Sequence, residues 1–156
     1  MSELLVHSIE TFGTHDGPGI RLIVFAQGCY FACAYCHNPD SRGLTSGDAR
    51  TYSSEEILAL LEKNRPYFKN TGGLTVSGGE PTVQAAGVFD LFTKAQAAGF
   101  HCTLDTCGAV CSPLVRKLYD IAEYLLDAQS SVPVVVGEMA YQSGNATVSI
   151  SILGSI

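Results

Sequence analysis

Apolar positions along this chain switch between short β-branched runs and helically spaced stretches, and that switching predicts an α/β fold. Arg21 to Gln27 is apolar and β-branched enough for a buried strand. Ser53-Ser54-Glu55-Glu56 reads as a capping box, and Ile57, Leu58, Leu60 and Leu61 follow at helical spacing until Pro66, which is expected to end the helix. A second strand, Leu74 to Ser77, runs into Gly78-Gly79-Glu80-Pro81, and Val88, Phe89, Leu91, Phe92 and Ala95 mark a helix closed by Gly99. Phe100 to Asp105 supplies a third strand, Pro113 to Ala122 a third helix, and Tyr124 to Asp127 a fourth strand. This repetition predicts about four strand-helix units on a parallel sheet with right-handed crossovers.

The rhythm stops after Asp127. Residues 128–156 contain no lysine or arginine and no helical periodicity, and offer only the irregular or β-like runs Val132 to Val136 and Thr147 to Leu153. The expected division is therefore a core over 1–127 and an atypical tail over 128–156.

Composition narrows the function classes. A chain of 156 residues, 46% hydrophobic and 15% charged, has room for one domain with a real core. Its formal net charge of -6 argues against nucleic acid as a partner, because neutralising phosphates takes a basic surface. Met1 to Ile9 lacks the basic start and long apolar run of a signal peptide, and no apolar stretch is long enough to span a bilayer. The reading is cytoplasmic, with no membrane partner, so the six cysteines point to reduced thiols used for metal chemistry rather than to a disulfide framework.

Cys29, Cys33 and Cys36 stand close together between Gly28 and Pro39. Three thiolates at this spacing can hold three irons of a four-iron, four-sulfur cluster and leave the fourth open to a small molecule, whereas an electron-transfer cluster normally takes four protein ligands. Zinc is the alternative, although its fourth local donor would have to be His37, adjacent to Cys36. A redox dithiol explains CxxC but not Cys29 as well. Spacing alone leaves cluster and zinc open. In a parallel sheet, ligands bind at the carboxyl ends of the strands, and that is where Cys29 to Cys36, Gly78 to Pro81, Asp105 to Gly108 and Asp127 are expected to converge. His7, His15 and His101 match no metal spacing and read as structural, and Cys102, Cys107 and Cys111 do not make a persuasive second cluster.

Several motifs in order, Asp16-Gly-Pro-Gly-Ile-Arg21, Phe25-Ala-Gln-Gly-Cys29, CxxxCxxC followed by His37-Asn38-Pro39, Ser77-Gly-Gly-Glu-Pro81 and Asp105-Thr106, resemble the radical S-adenosylmethionine enzymes. Within them the chain is most similar to the activating enzymes of glycyl-radical enzymes, in the branch that serves pyruvate formate-lyase. The resemblance implies a partial (β/α) barrel whose [4Fe-4S] cluster binds the amino and carboxylate groups of S-adenosylmethionine at its open iron. An electron from a flavodoxin- or ferredoxin-type reductant would cleave the cofactor to methionine and a 5'-deoxyadenosyl radical, which takes a hydrogen atom from a glycine Cα of the partner.

By the same resemblance Tyr35, Cys36, His37, Gly78, Gly79, Glu80 and Asp127 lie at the cofactor, Asp105, Thr106 and Asp127 resemble ligands of a monovalent cation, and Asp16 and Arg21 lie near the partner's glycine loop. Plainer readings stand beside these. The glycines also suit a tight turn before a helix, the cation residues suit helix capping or a solvated strand end, and Arg21 suits a surface position at a strand start.

Two departures qualify the match. Asp40 to Gly73 contains no cysteine, which favours the compact pyruvate formate-lyase type over activases with inserted CxxC motifs. Asp127-Ala128-Gln129 lacks the lysine of the family's Asp-x-Lys motif, and the tail looks like the product of truncation or a reading-frame change. The activase of the anaerobic ribonucleotide reductase is the nearest rival, and an inactive metal-binding fragment is the alternative from another class.

Overall fold

The computed structural model describes residues 2–34, 36–45 and 47–127, with the backbone alone at Asp127. The expected division at residue 128 and the tail strands at 132–136 and 147–153 lie outside the described residues, as does Tyr35.

The chain runs β1 (Glu3–Gly13), β2 (Arg21–Ala26), β3 (Arg50–Ser53), α1 (Ser54–Phe68), β4 (Gly73–Gly78), α2 (Ala85–Ala97), β5 (His101–Thr106), α3 (Pro113–Ile121) and β6 (Tyr124–Asp127), with short 3-10 helices at Pro39–Ser41 and Pro81–Gln84. Among the described residues the six strands form one sheet in the order β3-β1-β2-β4-β5-β6. From β2 to β6 every pairing is parallel, as expected from the strand-helix rhythm. β1 and β3 were not anticipated; they pair antiparallel and extend the sheet beyond β2.

Register sorts the side chains into two layers. Leu22 aligns with Leu74 and Cys102, and Val24 with Val76 and Leu104, and all of these are buried. Together with Leu4 and Val6 they form the core with Ile57 and Leu61 of α1, Val88, Leu91 and Phe92 of α2, and Val115 and Leu118 of α3. The opposite layer carries polar groups: Ile23 aligns with Thr75 and Thr103, and Phe25 with Ser77.

Arg21 is fully buried, which overturns a surface position at the strand start. Its guanidinium donates to Thr75 Oγ1 at 2.9 Å and Thr103 Oγ1 at 2.8 Å, and also to the Leu74, His101 and Pro18 carbonyls. The turn from Asp16 folds over this group, with Thr75 Oγ1 donating to Asp16 O at 2.6 Å. Arg21 thus tethers the starts of three parallel strands, and β2 separates it from the cysteine loop by roughly 17 Å of extended chain.

α1 also runs past the expected stop at Pro66. Proline costs the helix one backbone bond, but only in its last turns. Phe68 is buried edge-on to Phe100, with ring centroids 6.0 Å apart, and Gly72 N–H caps the Phe68 carbonyl at 2.8 Å. The capping box at Ser53 and Glu56 is present as expected.

Candidate functional site

At the carboxyl end of β2 the chain leaves the sheet through Gly28, makes the cysteine loop, and returns through the 3-10 helix Pro39–Ser41. Neighbouring β4 ends at Gly78, and backbone bonds join the two segments. Gly79 N–H donates to Ala26 O and Glu80 N–H to Gly28 O, both at 2.8 Å. The two loops therefore extend the parallel ladder beyond the strands.

This contact explains Gly78 and Gly79. Gly78 sits at φ +107, and a Cβ there would lie 2.4 Å from Ala26 N. At Gly79 a Cβ would lie 2.3 Å from Gly28 O and 2.8 Å from Ser41 O. Both glycines let the β4 loop lie against the backbone of the cysteine loop.

Cys29, Cys33 and Cys36 are free thiols, each partly buried. The Phe31 N–H donates to Cys29 Sγ at 3.4 Å, a bond that suits a thiolate ligand. Burial raises the Cys29 thiol above its ordinary pKa, and the Phe31 bond opposes that rise, so metal binding must displace a proton here. Among the described residues no three His, Cys, Asp or Glu side chains converge where a single ion would sit. A cubane makes no such demand, because each thiolate takes a different iron. The donor set fits a cluster on these grounds.

Glu80 is 1% exposed, and its carboxylate is already engaged. Oε1 accepts from Thr82 N–H at 3.0 Å, from Thr82 Oγ1 and from Thr106 Oγ1 at 2.6 Å, while Oε2 accepts from Cys107 N–H at 2.9 Å. Glu80 thereby caps the 3-10 helix Pro81–Gln84 and ties the end of β5 to it. Its carboxylate serves the scaffold of the rim, and only Oε2 keeps acceptor capacity.

Two of the residues expected at a cation, Asp105 and Thr106, are not gathered on one face. Asp105 and Thr106 are consecutive in β5 and point to opposite sides. Asp105 accepts from Ser77 Oγ at 2.6 Å, whereas Thr106 is turned to Glu80. Asp127 pairs with Thr106 through the β6 register. His37 is exposed on the cysteine loop. Asp16, part-exposed, belongs to the turn at the starts of the strands, so the expected Asp16 and Arg21 pair sits away from the cysteines.

Cys107 and Tyr119 lie behind the rim. Burial, with Glu80 next, pushes the Cys107 thiol up to about 12, and burial pushes the Tyr119 phenol up to about 12. Unfolding restores their ordinary values of 9.0 and 10.0, so the unfolded chain releases these protons first and stability falls as pH rises from 9. Burial pulls Arg21 in the opposite direction, but its guanidinium, donating to five acceptors, keeps its charge over this range. The metal-free chain is expected to lose urea resistance between about pH 9 and 11, most steeply above about pH 10 where both groups are ionised in the unfolded chain, and Cys107→Ala flattens that slope. An unchanged urea midpoint across that interval would sink the assignment.

Gln27 and Gln84, which sequence reasoning passed over, proved central to the geometry. Gln84 bridges Leu5 on both its N–H and its carbonyl at 2.8 Å and donates to Gln27 O at 2.8 Å. A polar residue ending an apolar strand just before the cysteines was the available signal at Gln27.

A family model described as a 4Fe-4S single cluster domain matches residues 15–138. The pyruvate formate-lyase-activating enzyme of Listeria monocytogenes serovar 1/2a is 47% identical over 111 residues, covering 69% of this chain and 44% of the relative. The enzyme of the same name from Clostridium pasteurianum is 44% identical over 104 residues, covering 66% of this chain and 43% of the relative. The chain thus spans less than half the length of these curated relatives. The crystal structure of QueE from Escherichia coli superposes with a TM-score of 0.57 at 16% identity, covering 94% of this chain and 65% of that one, a likeness of fold.

Proposed function

The chain belongs to the radical S-adenosylmethionine 4Fe-4S single cluster domain family, and from that premise we propose that it acts in activating a glycyl-radical enzyme, pyruvate formate-lyase or a close relative. The observation that carries this reading is the cysteine loop: three free thiols at the carboxyl end of β2, joined by backbone bonds to the Gly78–Glu80 segment. Support for the particular partner comes from the similarity to proteins named pyruvate formate-lyase-activating enzyme.

In this reading Cys29, Cys33 and Cys36 would hold a [4Fe-4S] cluster, and Tyr35, Cys36, His37, Gly78, Gly79, Glu80 and Asp127 are the residues the resemblance assigns to binding S-adenosylmethionine. When bound, cluster and cofactor would supply the reductive radical chemistry that removes a hydrogen atom from the partner's glycine Cα. The electron comes from a flavodoxin- or ferredoxin-type reductant, and the setting is cytoplasmic. The residues of this chain fix the thiols, close the rim through Glu80, and at Gly78 and Gly79 let the β4 loop lie against the backbone of β2 and the cysteine loop. Asp105, Thr106 and Asp127 are not proposed as joint side-chain ligands of one cation, because Asp105 and Thr106 face opposite sides of β5. Of Asp16 and Arg21, only Asp16 keeps surface for a partner. Among the described residues no helix is long and apolar enough to cross a membrane.

The test is anaerobic reconstitution with iron and sulfide, followed by reduction in the presence of S-adenosylmethionine and purified pyruvate formate-lyase. Methionine and 5'-deoxyadenosine should appear, with a glycyl-radical signal in electron paramagnetic resonance. Radical formation only on the anaerobic ribonucleotide reductase would overturn the partner. A cluster without cofactor cleavage would overturn the catalytic reading, and zinc without iron would overturn the cluster.

A further inference from the structure

Four consecutive carbonyls on the return side of the cysteine loop, at Asp40, Ser41, Arg42 and Gly43, each accept a hydrogen bond from residues 27–29. The inner two bonds come from backbone: Gly28 N–H to Ser41 O at 2.7 Å and Cys29 N–H to Arg42 O at 2.9 Å. The outer two come from one side chain. Gln27 Nε2 donates to Asp40 O at 3.2 Å and to Gly43 O at 2.6 Å. One amide thus brackets the neck of the loop that carries all three cysteines.

Gln27 is itself held at every polar atom. Its N–H donates to Leu5 O at 2.9 Å, its carbonyl accepts from Gln84 Nε2, and its Oε1 pairs with His7 Nδ1 at 3.2 Å. The amide orientation is forced, since the reverse would set Oε1 against two carbonyl oxygens. His7 therefore carries its hydrogen on Nδ1. Gln27 is 2% exposed, so no water competes for these bonds. Through Leu5, His7 and Gln84 it refers the neck to β1 and to the 3-10 helix that follows Glu80.

We propose that Gln27 is a positioning residue for the cysteine loop, clamping its neck and fixing the thiols relative to the Gly78–Glu80 segment. The consequence for metal retention rests on the cluster reading above; the clamp itself does not. Gln27→Met keeps length and approximate volume but removes both donors. Hydrogen exchange on the full metal-free chain should then accelerate at Gly28 and Cys29 on the order of tenfold, the effect of one to two ordinary hydrogen bonds, while β2 and β4 amides hold their rates. After reconstitution the same variant should lose iron to a chelator roughly 10–100-fold faster, the usual penalty for removing support behind metal ligands. His7→Phe, which leaves both neck bonds intact, should lose iron nearly as slowly as wild type.

Unchanged exchange in Gln27→Met would overturn the clamp. Faster exchange throughout the strands would overturn it in favour of general stabilisation. Local acceleration with unchanged iron loss would show that the neck does not govern the thiols. If the wild-type chain takes up no iron, the cluster reading fails while the exchange result still decides the clamp.

Discussion

Replacing Cys29, Cys33 or Cys36 singly with serine is expected to abolish iron retention, while Cys107→Ala leaves it intact. Serine keeps the shape of the side chain but ionises far less readily than a thiol, and the anion is the ligand. Each variant removes one of three protein attachments, so the loss should exceed the roughly 10–100-fold cost of removing an outer hydrogen-bond partner. None of the three thiols lies in a strand or helix, so far-UV circular dichroism should be preserved.

Cys107 is the decisive control. It stands just past the end of β5, bonded through its N–H to Glu80. If Cys107→Ala lost as much iron as Cys29→Ser, the ligand set would comprise four protein thiols. No iron would then be open to a small molecule, and the argument for S-adenosylmethionine would lose its chemical basis. Iron and acid-labile sulfide per chain, measured after anaerobic gel filtration, distinguish the two outcomes.

The parallel half of the sheet was legible because β-branched runs alternate with helically spaced ones, and because each strand ends in an unusual loop. β1 was not. In Glu3–Gly13 the buried Leu4 and Val6 flank the apolar Leu5, after which Ser8 and Glu10 interrupt any alternation. Its register is set by β2 and β3 rather than by a face of its own. Pro66 misled for a related reason: the helix continues on the strength of Phe68 packing against Phe100, a contact between residues far apart in sequence.

At the site, the converging loops were readable and the work of individual side chains was not. Glu80 as a rim clamp depends on Thr106 and Cys107 arriving from β5, and Gln27 as a neck clamp depends on carbonyls of Asp40 and Gly43. Arg21 is the sharpest case. A charged residue at a strand start reads as exposed, yet the Asp16 turn and two threonines from other strands enclose it.

The second large effect separates packing from metal binding at two glycines with similar crowding. Gly79→Ala places its Cβ 2.3 Å from Gly28 O, and Gly72→Ala places its Cβ 2.3 Å from Ile20 O and 2.7 Å from Phe68 O. All of these obstacles are backbone, so each substitution must move a chain segment, at a cost of roughly 3 kcal/mol. For a chain of this size that is on the order of a 10 °C fall in melting temperature. Only Gly79 touches the cysteine loop, through its N–H bond to Ala26 O and the Glu80 bond to Gly28 O. Gly72 lies just before β4, at the opposite end of the strand from that loop. Both variants should therefore melt earlier, but Gly79→Ala alone should release iron faster at temperatures where both remain folded. Wild-type iron retention in both would mean that the ladder between the β4 loop and the cysteine loop does not position the thiols. Release accelerated equally in both would mean that retention follows global stability, and the site would then depend on the whole sheet rather than on the rim.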